Sequence, residues 1–349
     1  MAKSENNSIM KKTPFVRGIK FVNRLARKNG PKYACIQLTT RCNMRCSFCG
    51  FWSEKAIPDH ELKLSDYQKL ADELADEYGL LLTTLEGGEP FVRKDLVEIV
   101  RIFGERHMPI LYTNGWFVTE ELAKALFDAG LHKIGVSIDY PDAERHDRKR
   151  GTVGAWGRAW KAVELLKNAA PYGGTQVSVL TVFMKDNQNE LERMLQLSQD
   201  KGVGHEINLL SLQGFHRAGQ SENELPELPV SAGLLELWEK YPHFRTFRDY
   251  LKNIDHFVSQ AEMPACLAGR AGVNVGETGE ISPCIEKVNH TFGNIKSESF
   301  SKIYDRLNEA QFGKDCQCCW TLCRGLGQVM GDRTNFSGWK DLVSRMQVN

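Results

Sequence analysis

Three cysteines fall within one short stretch, Cys42, Cys46 and Cys49 in RCNMRCSFCGF, directly after the apolar run Tyr33 to Leu38. A C-x3-C-x2-C loop this tight can wrap three corners of a cubane iron-sulfur cluster, whereas tetrahedral zinc needs a fourth ligand at comparable spacing. No fourth is near, because the next cysteine is Cys266. A second group follows far downstream: Cys266, Cys284, Cys316, Cys318, Cys319 and Cys323. Six thiols suffice for one fully ligated cluster but not for two, which need eight; a zinc site built from the six is the alternative. Cys35 lies within the first apolar run and reads as a small buried hydrophobe.

These thiols need a frame, and the pattern between them supplies one. Short apolar or β-branched runs occur at Ala34–Leu38, Leu81–Leu85, Ile110–Thr113, Lys133–Ile138, Val177–Phe183 and Glu206–Leu210. Amphipathic helical segments separate them, at Ser65–Tyr78, Leu96–Arg106, Glu120–Ala129, Ala155–Ala169 and Glu190–Lys201. Such alternation predicts a parallel sheet of the α/β class. A closed eight-stranded barrel takes about 250 residues, so the stretch from Tyr33 to Leu212 fits a partial (β/α)6 TIM-type barrel. Chemistry in that architecture sits at the carboxyl ends of the strands, which puts the cysteine loop after the first strand.

Polar residues follow the other strands at the same rim. Glu86-Gly87-Gly88-Glu89-Pro90 comes after the second; its adjacent glycines allow close backbone approach and Glu89 can accept a charged amine. Thr113-Asn114-Gly115 ends the third and Ser137-Ile138-Asp139 the fourth. Their short side chains suit either ligand contacts or turns and caps. The basic run His146-Asp147-Arg148-Lys149-Arg150-Gly151 comes next.

Cys42, Cys46, Phe48 and Cys49 spell the C-x3-C-x-aromatic-C motif, and over about residues 33 to 325 the chain resembles the radical S-adenosylmethionine (SAM) superfamily. The resemblance implies that Cys42, Cys46 and Cys49 bind three irons of a 4Fe-4S cluster whose fourth iron chelates SAM. An open iron site is the physical reason for three ligands. It further implies that Gly87, Gly88 and Glu89 meet the methionyl amine, that Phe48 packs near adenine, and that Asn114 and Ser137 contact SAM. Arg150 is a candidate to fork the SAM carboxylate. Cys266-x12-Gly279-x4-Cys284, a hairpin turning at Gly276 to Gly279, resembles the opening of SPASM/Twitch extensions. Cys316 and Cys319 would complete one auxiliary 4Fe-4S cluster, with Cys323 an alternative to Cys316.

The resemblance implies reductive cleavage of SAM to a 5′-deoxyadenosyl radical, hydrogen abstraction from a substrate, and a net oxidation aided by the auxiliary cluster. Small alcohols, aminocyclitols or peptides are the implied substrates. The electron donor would be a flavodoxin or ferredoxin. A non-catalytic iron-sulfur carrier or redox sensor would explain the cysteines but not the GGEP segment or the barrel. His205, Glu206, Asn208 and Arg217 are candidates for a general base by location alone.

Net charge is +1, which favours no nucleic-acid partner. No signal peptide and no apolar run of about 20 residues is present, so the expectation is cytoplasmic. From Asn6 through Ser53 there are ten Lys or Arg and no Asp or Glu, and residues 14–29 read as an amphipathic helix. Such a helix can dock on the barrel or lie on an anionic membrane surface. The predicted organisation is a basic flank at 1–32, the core barrel at 33–215, a linker with helices at 216–262, a cysteine-rich domain at 263–325 and a tail at 326–349.

Overall fold

The computed structural model describes residues 29–54, 57–213, 222–332 and 334–346. Six parallel strands, β1 (Tyr33–Thr39), β2 (Leu82–Gly87), β3 (Met108–Thr113), β4 (Lys133–Ser137), β5 (Val177–Phe183) and β6 (Gly204–Leu209), pair in chain order. Helices α1 (Leu64–Tyr78), α2 (Leu96–Arg106) and α3 (Glu120–Asp128) cross between the first four strands. Two helices, α4 (Ala143–Arg150) and α5 (Ala155–Ala169), lie between β4 and β5, and α6 (Leu191–Lys201) leads into β6. This is the partial α/β barrel the alternation predicts.

Strand periodicity divides the side chains between two cores. Ala34, Ile36 and Leu38 of β1 join the apolar layer under the helices, with Leu70, Leu74, Ile99 and Phe103. Tyr33 and Cys35 point the other way, into the barrel with Leu82, Met108 and Ile110. Because successive residues face opposite sides, every second residue of each strand is available to line the interior.

The sheet does not stop at β1. Strand β7 (Gly272–Val275) pairs with it in parallel, and β8 (Glu280–Ser282) and β9 (Gly293–Asn294) continue antiparallel. The hairpin read around Gly276 to Gly279 is therefore β7–β8. Helices α7 (Ser231–Lys240), α8 (Arg248–Lys252) and α9 (Ile254–Val258) follow β6, and α10 (Phe300–Glu309) packs beside α1. Last come α11 (Leu322–Gly331) and α12 (Phe336–Met346). Leu322 N–H donates to Asn208 Oδ1 of β6 at 2.8 Å, so α11 flanks the far end of the barrel sheet.

The expected boundary at 325 falls inside α11, and β7 hydrogen-bonds directly to β1, so the cysteine-rich segment continues the barrel sheet. The predicted N-terminal helix, apart from its last residue, lies outside the described residues, as do 214–215 at the end of the predicted barrel and 216–221 of the predicted linker. Among the described residues no helix is long and apolar enough to cross a membrane.

Candidate active site

The cysteine loop leaves β1 and docks on the last turn of α4. Arg45 N–H donates to Arg150 O at 3.2 Å and Ser47 N–H to Lys149 O at 3.0 Å, using carbonyls that a helix C-terminus leaves free. Gly151 caps α4 at φ +63°, and a Cβ there would sit 2.6 Å from Arg45 O. Met44, 1% exposed, plugs the loop, and its N–H lies 3.4 Å from Cys42 Sγ. A buried ionic group braces the root: Glu61 accepts from Thr39 Oγ1 and from both Arg41 and Arg93.

One cavity collects every residue that the sequence associates with SAM or the first cluster. Cys42, Cys46, Phe48, Cys49, Gly87, Gly88, Glu89, Asn114, Ser137 and Arg150 all line it. Gly88 is required by packing, since a Cβ would lie 2.2 Å from Arg41 O, so the β2 loop runs against the backbone next to Cys42. Asn114 Nδ2 donates to Asn43 Oδ1 at 2.8 Å and lies 4.0 Å from Cys42 Sγ, tying the β3 end to the cysteine loop.

Glu89 and Arg150 are more heavily engaged than the sequence suggests. Glu89, 1% exposed, accepts from Phe91 N at 3.1 Å, Thr113 Oγ1 at 2.8 Å and Asn114 N at 2.7 Å. A carboxylate offers about four acceptor sites, so one remains for a ligand amine and the others knit β2 to β3. Burial pushes its carboxyl up to about 7, against the pull of those donors. Arg150 gives Nε and Nη2 to Asp139 Oδ2 at 2.8 and 2.7 Å. Its Nη1 reaches Cys46 Sγ at 3.9 Å, and its guanidinium lies 5.2 Å from the Phe48 ring centre. Asp139 thus takes the Nε–Nη2 edge of Arg150 and turns the Nη1 side toward Cys46.

The donor set fits the group it would hold. Burial pushes Cys42 up to about 12 and raises Cys46, so iron binding must expel a proton from each of these two thiols. Arg150 beside Cys46 pulls that thiol the other way and supports the thiolate once iron is bound.

A second, smaller pocket is ringed by Cys266, Cys284, Cys316, Cys318, Cys319 and Cys323, with Cys35 and Tyr33 on the barrel side. Burial comes first among the causes raising Cys284, Cys316 and Cys319, and the neighbouring thiols add to it. Among the described residues no group of three or more such side chains converges on a single metal ion. Tetrahedral zinc would need sulfurs about 3.8 Å apart, from a Zn–S bond of about 2.3 Å. Two cations attend the ring. Lys287 interacts with Cys318, and Arg324, 4% exposed, donates to Cys319 O at 2.8 Å with no carboxylate paired to it among the described residues. Glu286, 5% exposed, lines the same pocket, so the thiols are flanked by a carboxylate as well as by Lys287 and Arg324. Cys323 also lines the main cavity, and its Sγ is 3.9 Å from Cys35 Sγ.

The four general-base candidates separate. Glu206 and Asn208 line the cavity, and Arg217 lies outside the described residues. His205 faces away, fully buried, its Nδ1 2.8 Å from Ser198 Oγ of α6. Burial pushes it down to about 3, against about 6.5 when unfolded. Below 6.5 the unfolded chain takes up this proton and the folded chain does not, so stability is full above 6.5 and declines as pH falls toward 3. The slope from this residue is about 1.4 kcal/mol per pH unit. Urea titrations between pH 6.5 and 4 should be flatter for His205→Leu than for the parent chain; equal slopes would contradict the assignment.

Sequence reasoning passed over Lys133, Tyr112, Glu86 and Arg245, which also line the cavity. Lys133 was legible in principle: it lies two and four residues before Gly135 and Ser137, on the same face of β4.

A parallel partial barrel with three cysteines in the loop after its first strand defines a class of cluster-bearing barrel proteins. Residues 36–198, which run from β1 into α6, match the family model of the radical SAM superfamily. The chain is 28% identical over 302 residues to the AdoMet-dependent heme synthase of Methanosarcina barkeri, covering 80% of this chain and 84% of that protein. It is 27% identical over 310 residues to the mycofactocin maturase MftC of Mycolicibacterium smegmatis, covering 83% and 76%. The structure of native anSMEcpe with bound AdoMet shares the fold, with TM-score 0.63 at 17% identity over 90% of this chain and 97% of that one.

Proposed function

We propose that the chain is an oxidative radical SAM enzyme with one auxiliary 4Fe-4S cluster, acting on a substrate held in the barrel cavity. The observation that carries the reading is the position of the second thiol ring: it abuts the main cavity and shares Cys323 with it. Cys42, Cys46 and Cys49 would hold the first cluster, with Gly87, Gly88, Glu89, Asn114 and Ser137 around SAM. Bound there, the first cluster and SAM would supply a 5′-deoxyadenosyl radical, and the ring of Cys266, Cys284, Cys316 and Cys319 would hold a second cluster able to take the electron left on the substrate.

The chain's own part is confinement and alignment. Glu89 keeps one acceptor site for the methionyl amine while its other contacts fix the β2 and β3 ends. Asp139 holds Arg150 against Cys46, and Phe48 lies buried beneath that guanidinium. Apolar side chains line the cavity at both levels, Leu180 and Val182 near the rim and Leu82 and Ile110 farther down, and keep water from a reactive carbon centre. Relatives include a heme synthase and a mycofactocin maturase, so the frame carries a reaction class rather than one substrate. Peptides remain among the proposed substrates.

Metal removal tests the reading. The anaerobically reconstituted chain should hold about eight irons, and Cys266→Ala with Cys284→Ala should lower that to about four while SAM cleavage persists. A parent chain that holds about four irons, unchanged in the double variant, would contradict an auxiliary cluster.

A further inference from the structure

Lys133 opens β4 at the end of the barrel away from the cysteine loop, about 13 Å from Ser137 along the strand at about 3.3 Å per residue. Its side chain lines the main cavity, and the residue is 6% exposed. Among the described residues no hydrogen bond and no ion pair reaches its ammonium. The charged groups that act on it are Arg245, which opposes its charge, and Glu206, which favours it; neither is close enough to pair. Glu206 is itself engaged by Ser178 Oγ at 3.0 Å, and Arg245 donates to Ser178 Oγ and to Gly174 O at 3.0 and 3.2 Å.

An ammonium with no protein partner, set in the wall of a cavity, is stabilised by an anion brought against it. We propose that Lys133 is the seat for a carboxylate of the substrate, placing an anionic end at the barrel floor and the reacting carbon toward the cysteine loop. Ile110 lies level with Lys133, and Tyr112, Leu180 and Val182 continue the wall from there toward the cysteine-loop end, so an aliphatic chain can lie along it. One free ammonium beside Glu206 matches a single negative charge; a phosphate dianion would meet repulsion from Glu206. The proposal rests on the barrel cavity being the substrate chamber.

The test uses octanoate, octyl phosphate and octylammonium as probes on the full-length, cluster-reconstituted chain, with binding read by calorimetry. Octanoate should bind saturably and more tightly than octyl phosphate, and octylammonium should not bind. Lys133→Met should weaken octanoate about tenfold or more, Lys133→Arg should restore part of the affinity, and Lys133→Met should melt at a higher temperature than the parent. Equal octanoate affinity in parent and Lys133→Met, or no octanoate binding by a parent chain that still cleaves SAM, would overturn the seat. Tighter binding of octyl phosphate would overturn the carboxylate assignment. Loss of SAM cleavage in the parent would count against the proposed function and leave the binding result to judge the seat alone.

Discussion

Cys46→Ala is expected to abolish SAM cleavage: 5′-deoxyadenosine from the reduced, reconstituted variant should fall to the level of a protein-free control. Three thiols on one short loop are the minimum that grips a cubane by three corners, and two leave it open to loss. Iron should fall by about four per chain, the auxiliary set remaining. Folding is not the cause of the loss, because alanine replaces a buried thiol with a slightly smaller apolar group, and the loop keeps its backbone bonds to α4. Melting of the iron-free variant close to that of the iron-free parent checks this. Retained cleavage at a tenth of the parent rate would mean that SAM is activated elsewhere.

Asp139→Ala is the most damaging single change to the frame of the site. Asp139 is fully buried, accepts Val182 N–H at 3.0 Å through Oδ1 and holds Arg150 through Oδ2. Removing it strands a guanidinium that is 7% exposed between Cys46 and Phe48. Breaking a buried pair in this way costs about 3–5 kcal/mol, far beyond the effect of a surface ion pair. Urea unfolding of the iron-free chain should show that loss. Adding Arg150→Met should recover part of it, since the stranded charge goes too. A loss under about 1 kcal/mol would mean that Arg150 finds water or another acceptor.

Much of this frame was readable because apolar periodicity reports burial. The six strand runs and the five flanking helices each bury an apolar face, so their signals are strong, and the cysteine loop follows by position. Helix α4 was harder, reading as a basic run. Its buried residues are His146 and Arg150, not an apolar stripe, so hydrophobic periodicity is silent there. The partners of Glu89 and Arg150 were hidden for a related reason. Both side chains suit a ligand, but their partners, Asn114 and Asp139, come from other loops that only the folded sheet brings near. Lys133 shows the opposite limit: a lysine at the start of a strand reads as solvated, and only closure of the barrel reveals that it faces inward.

The central claim is that this chain opens SAM by one-electron reduction at the Cys42, Cys46 and Cys49 loop. The most direct measurement is anaerobic reconstitution with iron and sulfide, reduction, addition of SAM and quantitation of 5′-deoxyadenosine. Product formed in step with reductant, and absent from Cys46→Ala, is the predicted result. A fully iron-loaded chain that reduces reversibly and leaves SAM intact would contradict the account and describe an electron carrier instead.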